Sequence, residues 1–108
     1  EELVAKGEGV YQMNCVACHQ VNGAGIPGIF PALAGSDIVL NNKPRNVEIL
    51  MEGVQGAAMQ SFANQLSEVD MAAVITYTRR AWGNDAKGDG EIVVPKEIVE
   101  YKENKIKI

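Results

Sequence analysis

Both cysteines and the only histidine of this 108-residue chain fall in one stretch, Cys15-Val16-Ala17-Cys18-His19. No other feature limits the chain as strongly. Two cysteines three positions apart cannot make a disulfide framework, which needs several bridges closing large loops. A tetrahedral zinc site needs further ligands, and no other Cys or His is present to supply them. A thioredoxin-type redox pair belongs at a helix start after a strand, and no strand-like run precedes Cys15. The reading left is covalent attachment of a c-type haem, with one thioether from each cysteine. His19, directly after Cys18, is then placed to bind the iron as its proximal ligand.

The length predicts one domain with a small core, to which a large apolar cofactor would add buried surface. Fourteen acidic against ten basic residues give a net charge of −4, which argues against nucleic acid or an anionic membrane as partner. No run approaches the ~18 apolar residues of a membrane-spanning helix. The start, EELVAKGEG, does not read as a secretory leader, so an exported protein is expected here in its mature or excised form.

Helical spacing of Leu3, Val4, Gly7, Val10 and Tyr11 predicts a helix over 2–14. Gly7 inside it implies the close approach of another segment. Residues 20–36 are rich in Gly and Pro and read as a loop. Ile26, Ile29, Phe30 and Leu33 make that loop apolar, so it is expected to lie against the haem. Residues 37–43 read as a connector. Pro44 opens a helix to about Glu52, closed by Gly53. Residues 53–66 read as a second loop. Ser67-Glu68-Val69-Asp70 resembles a capping box and starts a helix running to about Trp82. A polar turn over 85–90, extended Val93-Val94 and a short helix from Pro95 to about Glu103 close the chain, with Lys105 onward frayed. The sum is an all-α fold of three or four helices with long loops around one haem. Residues 1–84 form the core and 85–108 a C-terminal extension packing on it.

The second iron ligand must be sought among four methionines. Met13 lies too near Cys15 to reach the other face of the ring. Met51 and Met71 sit in helices, where core-filling roles are commonest. Met59 follows the small residues Gly56-Ala57-Ala58 in a loop and is the leading candidate; Met51 and an open position are the alternatives. A neutral thioether sulfur favours ferrous iron and raises the reduction potential relative to a second imidazole. With both axial positions filled, outer-sphere electron transfer is expected rather than catalysis at iron.

With Cys15 to His19, the loop methionine Met59 and helices at both ends, the chain resembles a small class I cytochrome c. Gly7 and Tyr11 match the positions at which that family crosses its first and last helices, and Tyr77 fits the aromatic they meet. "FPALAGS" (Phe30 to Ser36), "AMQSFANQLSEVDMAAVITYTRRAWGN" (Ala58 to Asn84) and the ending "GDGEIVVPKEI" are similar to the cytochrome c domain of bacterial haem–copper oxidase subunit II. The chain departs from that pattern at Gln60 and Ala63, where proline and glycine are usual. The resemblance implies a proline carbonyl accepting from His19 Nδ1, with Pro31 the first choice and Pro27 the second. It also implies propionate contacts from a group among Arg79, Arg80, Trp82 and Asn84. Cofactor-site expectations are therefore Cys15, Cys18, His19, Met59, Pro31, Ile29, Phe30, Leu33, Trp82 and Arg79.

The implied role is one-electron transfer on the periplasmic side, not catalytic alone, with an electron donor and the oxidase copper centre as redox partners. The chain has no transmembrane segment of its own and could be tethered to a membrane subunit. The alternatives are a free periplasmic carrier and, from a different class, a haem sensor or peroxidase-like protein. Ile26 to Phe30 could ring an exposed haem edge or pack under the fold.

Overall fold

The computed structural model of the chain describes residues 2–26, 28–54, 59–88 and 91–107. Among these it contains six α-helices and one 3-10 segment: α1 (Glu2–Asn14), α2 (Val16–His19), α3 (Asp37–Asn41), α4 (Lys43–Glu52), α5 (Glu68–Arg80), the 3-10 segment Ala81–Ala86, and α6 (Pro95–Lys107). The all-α expectation holds, with more helices than three or four.

The frame of the fold is the crossing of α1 over α5. A Cβ added to Gly7 would overlap the Ala73 carbonyl and lie 2.7 Å from Tyr77 Cβ, so only glycine allows the two backbones this close. One turn further on, Tyr11 is fully buried; its ring centroid lies 5.5 Å from that of Tyr77 and 5.2 Å from that of Trp82. Such tilted aromatic contacts add about 0.5–1.5 kcal/mol each beyond area burial.

Helix α5 starts where Ser67 Oγ accepts a hydrogen bond from Asp70 N at 3.1 Å. Glu68 and Asp70 stand in its first turn and Arg79 and Arg80 in its last, signs that complement the helix dipole. Its Met71, Ala72, Val74 and Ile75 are buried in one cluster with Tyr11, Val47, Leu50, Phe62, Val93 and Ile98. Burying a side chain the size of Met71 or Ile75 contributes about 1.5–3 kcal/mol.

The structure corrects three boundaries. The expected connector 37–43 contains α3, which Ser36 caps, and Asn42 then caps α4 by accepting from Arg45 N at 3.2 Å. The two asparagines read as turn formers thus mark a joint between two helices. Helix α5 stops at Arg80 instead of Trp82. Trp82 adopts a left-handed backbone (φ 56°), which turns its ring onto Tyr11 and lets Nε1 donate to Val21 O at 2.9 Å. That conformation costs about 1–2 kcal/mol for a residue with a Cβ, which the ring's contacts offset. Helix α6 continues through Lys107, beyond the expected end near Glu103.

The segment leading into α6 is tied to α5 through Thr76, whose Oγ1 donates to Val93 O at 2.8 Å and accepts from Val93 N at 2.9 Å. Lys43 of α4 meets Glu97 of α6 at 2.9 Å and Glu91 at 3.0 Å. Lys102 of α6 meets Glu68 at 2.7 Å.

Candidate haem site

The turn after α1 brings the attachment residues together. Cys15 N donates to Tyr11 O at 2.8 Å, and His19 N donates to Cys15 O at 2.9 Å. Both thiols are free and half-buried on one helical turn. Burial pushes the Cys15 thiol up to about 11, and the neighbouring Cys18 adds to the shift. Cys15 therefore lacks the depressed pKa of a redox-exchange thiolate.

His19 Nδ1 lies 3.0 Å from Pro31 O. A carbonyl can only accept, so Nδ1 carries a proton, and in the neutral imidazole that leaves the Nε2 lone pair for a metal. Gly25 makes this approach possible. Its φ is +65°, and a Cβ there would stand 2.7 Å from the Pro31 carbonyl carbon. Gly25 N also donates to His19 O at 3.0 Å. The alternative proline, Pro27, lies outside the described residues.

A cavity of about 330 Å³ opens beside this turn. Cys15, Cys18 and His19 line it together with Ile29, Phe30, Pro31 and Leu33 of the following loop. Ile49 and Leu50 of α4, Phe62, and Val74, Ile75 and Thr78 of α5 complete most of its wall. Met59 lines the same cavity. Its segment folds back over the end of α4, where Val54 N donates to Met59 O at 3.0 Å and Phe62 N to Leu50 O at 2.9 Å. Gly53, at φ +75°, permits that fold-back: a Cβ there would stand 2.8 Å from Met59 O.

The other methionines separate as the sequence suggested. Met51 and Met71 are buried in the core cluster, and Met13 is 87% exposed. The small residues before Met59, Gly56-Ala57-Ala58, lie outside the described residues.

Two expected site residues do not line the cavity. Arg79 is buried behind it, with Nε donating to Glu91 O at 2.9 Å and Nη2 reaching Leu40 O at 3.4 Å. These carbonyls draw the guanidinium toward the C-terminal segment and away from the cavity. Trp82 is held by Val21 O, Tyr11 and Tyr77 instead. Asn84, another propionate candidate, is fully buried as a clamp. Its Oδ1 accepts from Gly35 N at 2.8 Å, and its Nδ2 donates to Thr78 O at 2.8 Å and Leu33 O at 3.2 Å. It fastens the loop that carries Pro31 to the end of α5.

Residues that sequence reasoning did not single out are Ser36, Val39, Asn46, Ile49 and Leu50, all on the wall. For α4 a signal existed: Asn46, Ile49 and Leu50 stand at i, i+3 and i+4, one helix face. A second groove, of about 610 Å³, runs between α4 and α6 past Lys43, Arg45, Glu97 and Tyr101. It is larger but open to solvent, and neither a thiol nor an imidazole lines it.

The donor set fits haem c: two thiols on one turn, an imidazole held through Nδ1 so that Nε2 can face a metal, a thioether, and walls that are otherwise mostly apolar. The family described as "Cytochrome C oxidase, cbb3-type, subunit III" matches residues 2–77. The chain belongs to the cytochrome c family. It is 38% identical to cytochrome c-552 of Thermus thermophilus over 100 residues, covering 80% of this chain and 75% of that protein. It is 35% identical to the cytochrome c subunit of the quinone alcohol dehydrogenase of Gluconobacter oxydans, over 76% of this chain. It spans only 19% of that subunit's length. Cytochrome cL of Hyphomicrobium denitrificans shares the fold, with a TM-score of 0.53 at 23% identity over 92% of this chain and 64% of that one. This cytochrome c carries covalent haem c, and Cys15 and Cys18 fit its attachment motif; its relatives are cytochromes c that act in electron transfer. Among the described residues no helix is long and apolar enough to cross a membrane.

Proposed function

We propose that this cytochrome c holds its iron between His19 and Met59 and serves as the cytochrome c domain of an oxidase subunit II, passing electrons to that subunit's copper centre. The observation that carries the ligand assignment is the meeting of His19 and Met59, from separate segments, in one largely apolar cavity. When bound, the haem supplies a one-electron couple. The protein supplies the rest. Cys15 and Cys18 anchor the ring. The Pro31 carbonyl fixes the His19 imidazole and makes it a stronger donor. Met59 offers a neutral, soft sulfur that favours the reduced state. The apolar walls exclude water, and with His19 and Met59 both holding the iron, no site would be left for oxygen or peroxide chemistry. Residues 1–108 act as one unit, the extension 85–108 contributing Val93 and Ile98 to the shared core.

Carbon monoxide tests the ligand set. The reduced protein is expected to bind none under native conditions, while Met59→Ala binds it readily. Ready binding by the unmodified protein overturns the assignment and favours a sensor or peroxidase-like role.

The oxidase role is supported by the resemblance over Phe30 to Ser36, Ala58 to Asn84 and the chain's ending. A second reading, a free periplasmic carrier, is favoured by the match that covers three-quarters of cytochrome c-552. Both readings put the protein on the periplasmic side. The reading frame upstream of Glu1 separates them. A cupredoxin domain and two membrane helices there support the oxidase; a leader alone supports the carrier.

A further inference from the structure

We propose that Asn46 is a cofactor-binding residue whose side-chain Nδ2 donates a hydrogen bond to a haem propionate. The proposal rests on the haem reading above and adds a residue to it. Asn46 Nδ2 is buried and has no hydrogen-bond partner among the described residues. A buried donor left unmade costs about 1–3 kcal/mol, and native proteins keep few of them. Asn46 is also part of the cavity wall. An orphaned donor on the wall of a cofactor cavity points to an acceptor on the cofactor.

The helix sets the direction of this side chain. Asn46 N donates to Asn42 O at 3.0 Å inside the first turn of α4, whose start Asn42 caps. Val47, the next residue, turns into the core cluster. Ile49 and Leu50, one turn on, line the cavity as Asn46 does.

A propionate buried here needs donors, and no Lys or Arg is among the described residues of the wall. The nearby cations are engaged elsewhere. Arg45 pairs with Glu48 at 2.8 Å, Lys43 with Glu91 and Glu97, and Arg79 with two carbonyls. Two other polar groups on the wall are committed, His19 Nδ1 to Pro31 O and Thr78 Oγ1 to Ile75 O at 2.9 Å, while Gln60 is exposed to solvent. Among the described wall residues, Asn46 Nδ2 is the buried side-chain donor that has no partner. A neutral amide can still stabilise a carboxylate, because hydrogen bonds to ionised groups are roughly twice as strong as neutral ones.

The direct test is an NMR measurement on the reduced, diamagnetic holoprotein. The Asn46 side-chain amide protons are expected to show an Overhauser contact to propionate methylene protons. A contact to the Met59 methyl without one to a propionate, or to neither, overturns the proposal. The second test is Asn46→Leu, which keeps the bulk and removes the donor. Loss of the bond raises the propionate pKa, so the pH-dependent part of the reduction potential should move up by about one pH unit or more. The thioether-to-iron charge-transfer band should stay. A pH profile that superimposes on the parent's overturns the proposal. Intact mass and the absorption spectrum, read on the same samples, show whether haem is present, so a failure of the haem reading is seen separately. If Asn46→Leu does not mature, the amide contact in the unmodified protein decides alone.

Discussion

His19 and Met59 reach the same cavity from segments anchored in different ways. The His19 side is tied in several directions at once. Pro31 O holds the ring, Gly25 N the His19 carbonyl, and Tyr11 Oη reaches Gln20 O at 2.6 Å. Gly23 O receives Leu33 N and Ala34 N, and Asn84 fastens Leu33 and Gly35 to α5. Among the described residues, the Met59 side is joined to α4 by fewer bonds: Val54 N to Met59 O, Phe62 N to Leu50 O, and Ser61 Oγ to the Met51 carbonyl. One proposed ligand is built into the frame, and the other is laid across the end of a helix. The thioether is therefore expected to leave the iron before the imidazole does.

The largest effect should come from unfastening the imidazole side. Asn84→Ala removes three hydrogen bonds from a fully buried group and leaves their partners unsatisfied. A loss of about 2–4 kcal/mol is expected in a denaturant midpoint. A loss under about 0.5 kcal/mol, the range of ordinary surface changes, would mean that the loop holds itself.

Gly53→Ala attacks the other side. It forces a Cβ into a backbone conformation that essentially only glycine adopts (φ +75°, ψ −170°) and toward Met59 O, at a cost of about 1–3 kcal/mol. The thioether band should weaken at lower denaturant concentration than global unfolding requires. Loss of band and fold together would show that the two sides are equally fixed.

A smaller change is expected from acid. Burial acts to raise the Glu97 pKa, but the hydrogen bonds from Lys43 and Val94 N outweigh it and hold the carboxyl below its ordinary 4.5. A depressed carboxyl stabilises the fold above its unfolded pKa and loses that contribution as pH falls through the folded value. Stability should therefore drop more gently below 4.5 in Glu97→Gln than in the parent, as read by thermal melts across pH. Identical acid limbs would remove Glu97 from the account.

The smallest stability effect belongs to Ile29, 70% exposed at the mouth of the cavity. Ile29→Lys should slow electron exchange with a redox partner while changing stability by no more than about 0.5 kcal/mol. Unchanged exchange rates would place the docking surface elsewhere.

The parts of this protein that could be read from residues alone are those where one local rule decides. Cys15 to His19 leave a single chemistry, and Gly7 with Tyr11 and Tyr77 marks a helix crossing. Ser67 starts α5 as its capping chemistry predicts. The misreadings arise where distant contacts overrule local preference. Trp82 looked like the last turn of a helix, but its ring is drawn to Tyr11 and Val21 O at the cost of a strained backbone. Arg79 looked like a propionate partner, but carbonyls of Glu91 and Leu40 hold it. Asn46 went unnoticed because a polar residue on a helix next to Arg45 and Glu48 reads as solvated surface, whereas Ile49 and Leu50 on its own face turn that face inward.

The central claim is a single macrocycle bonded through Cys15 and Cys18. Intact-mass analysis of protein matured in a host with the haem-attachment machinery tests it most directly. One species is expected, heavier than the polypeptide by one haem and unchanged by denaturation or acid–acetone extraction. A polypeptide mass without that addition, or a haem that extraction removes, would contradict it.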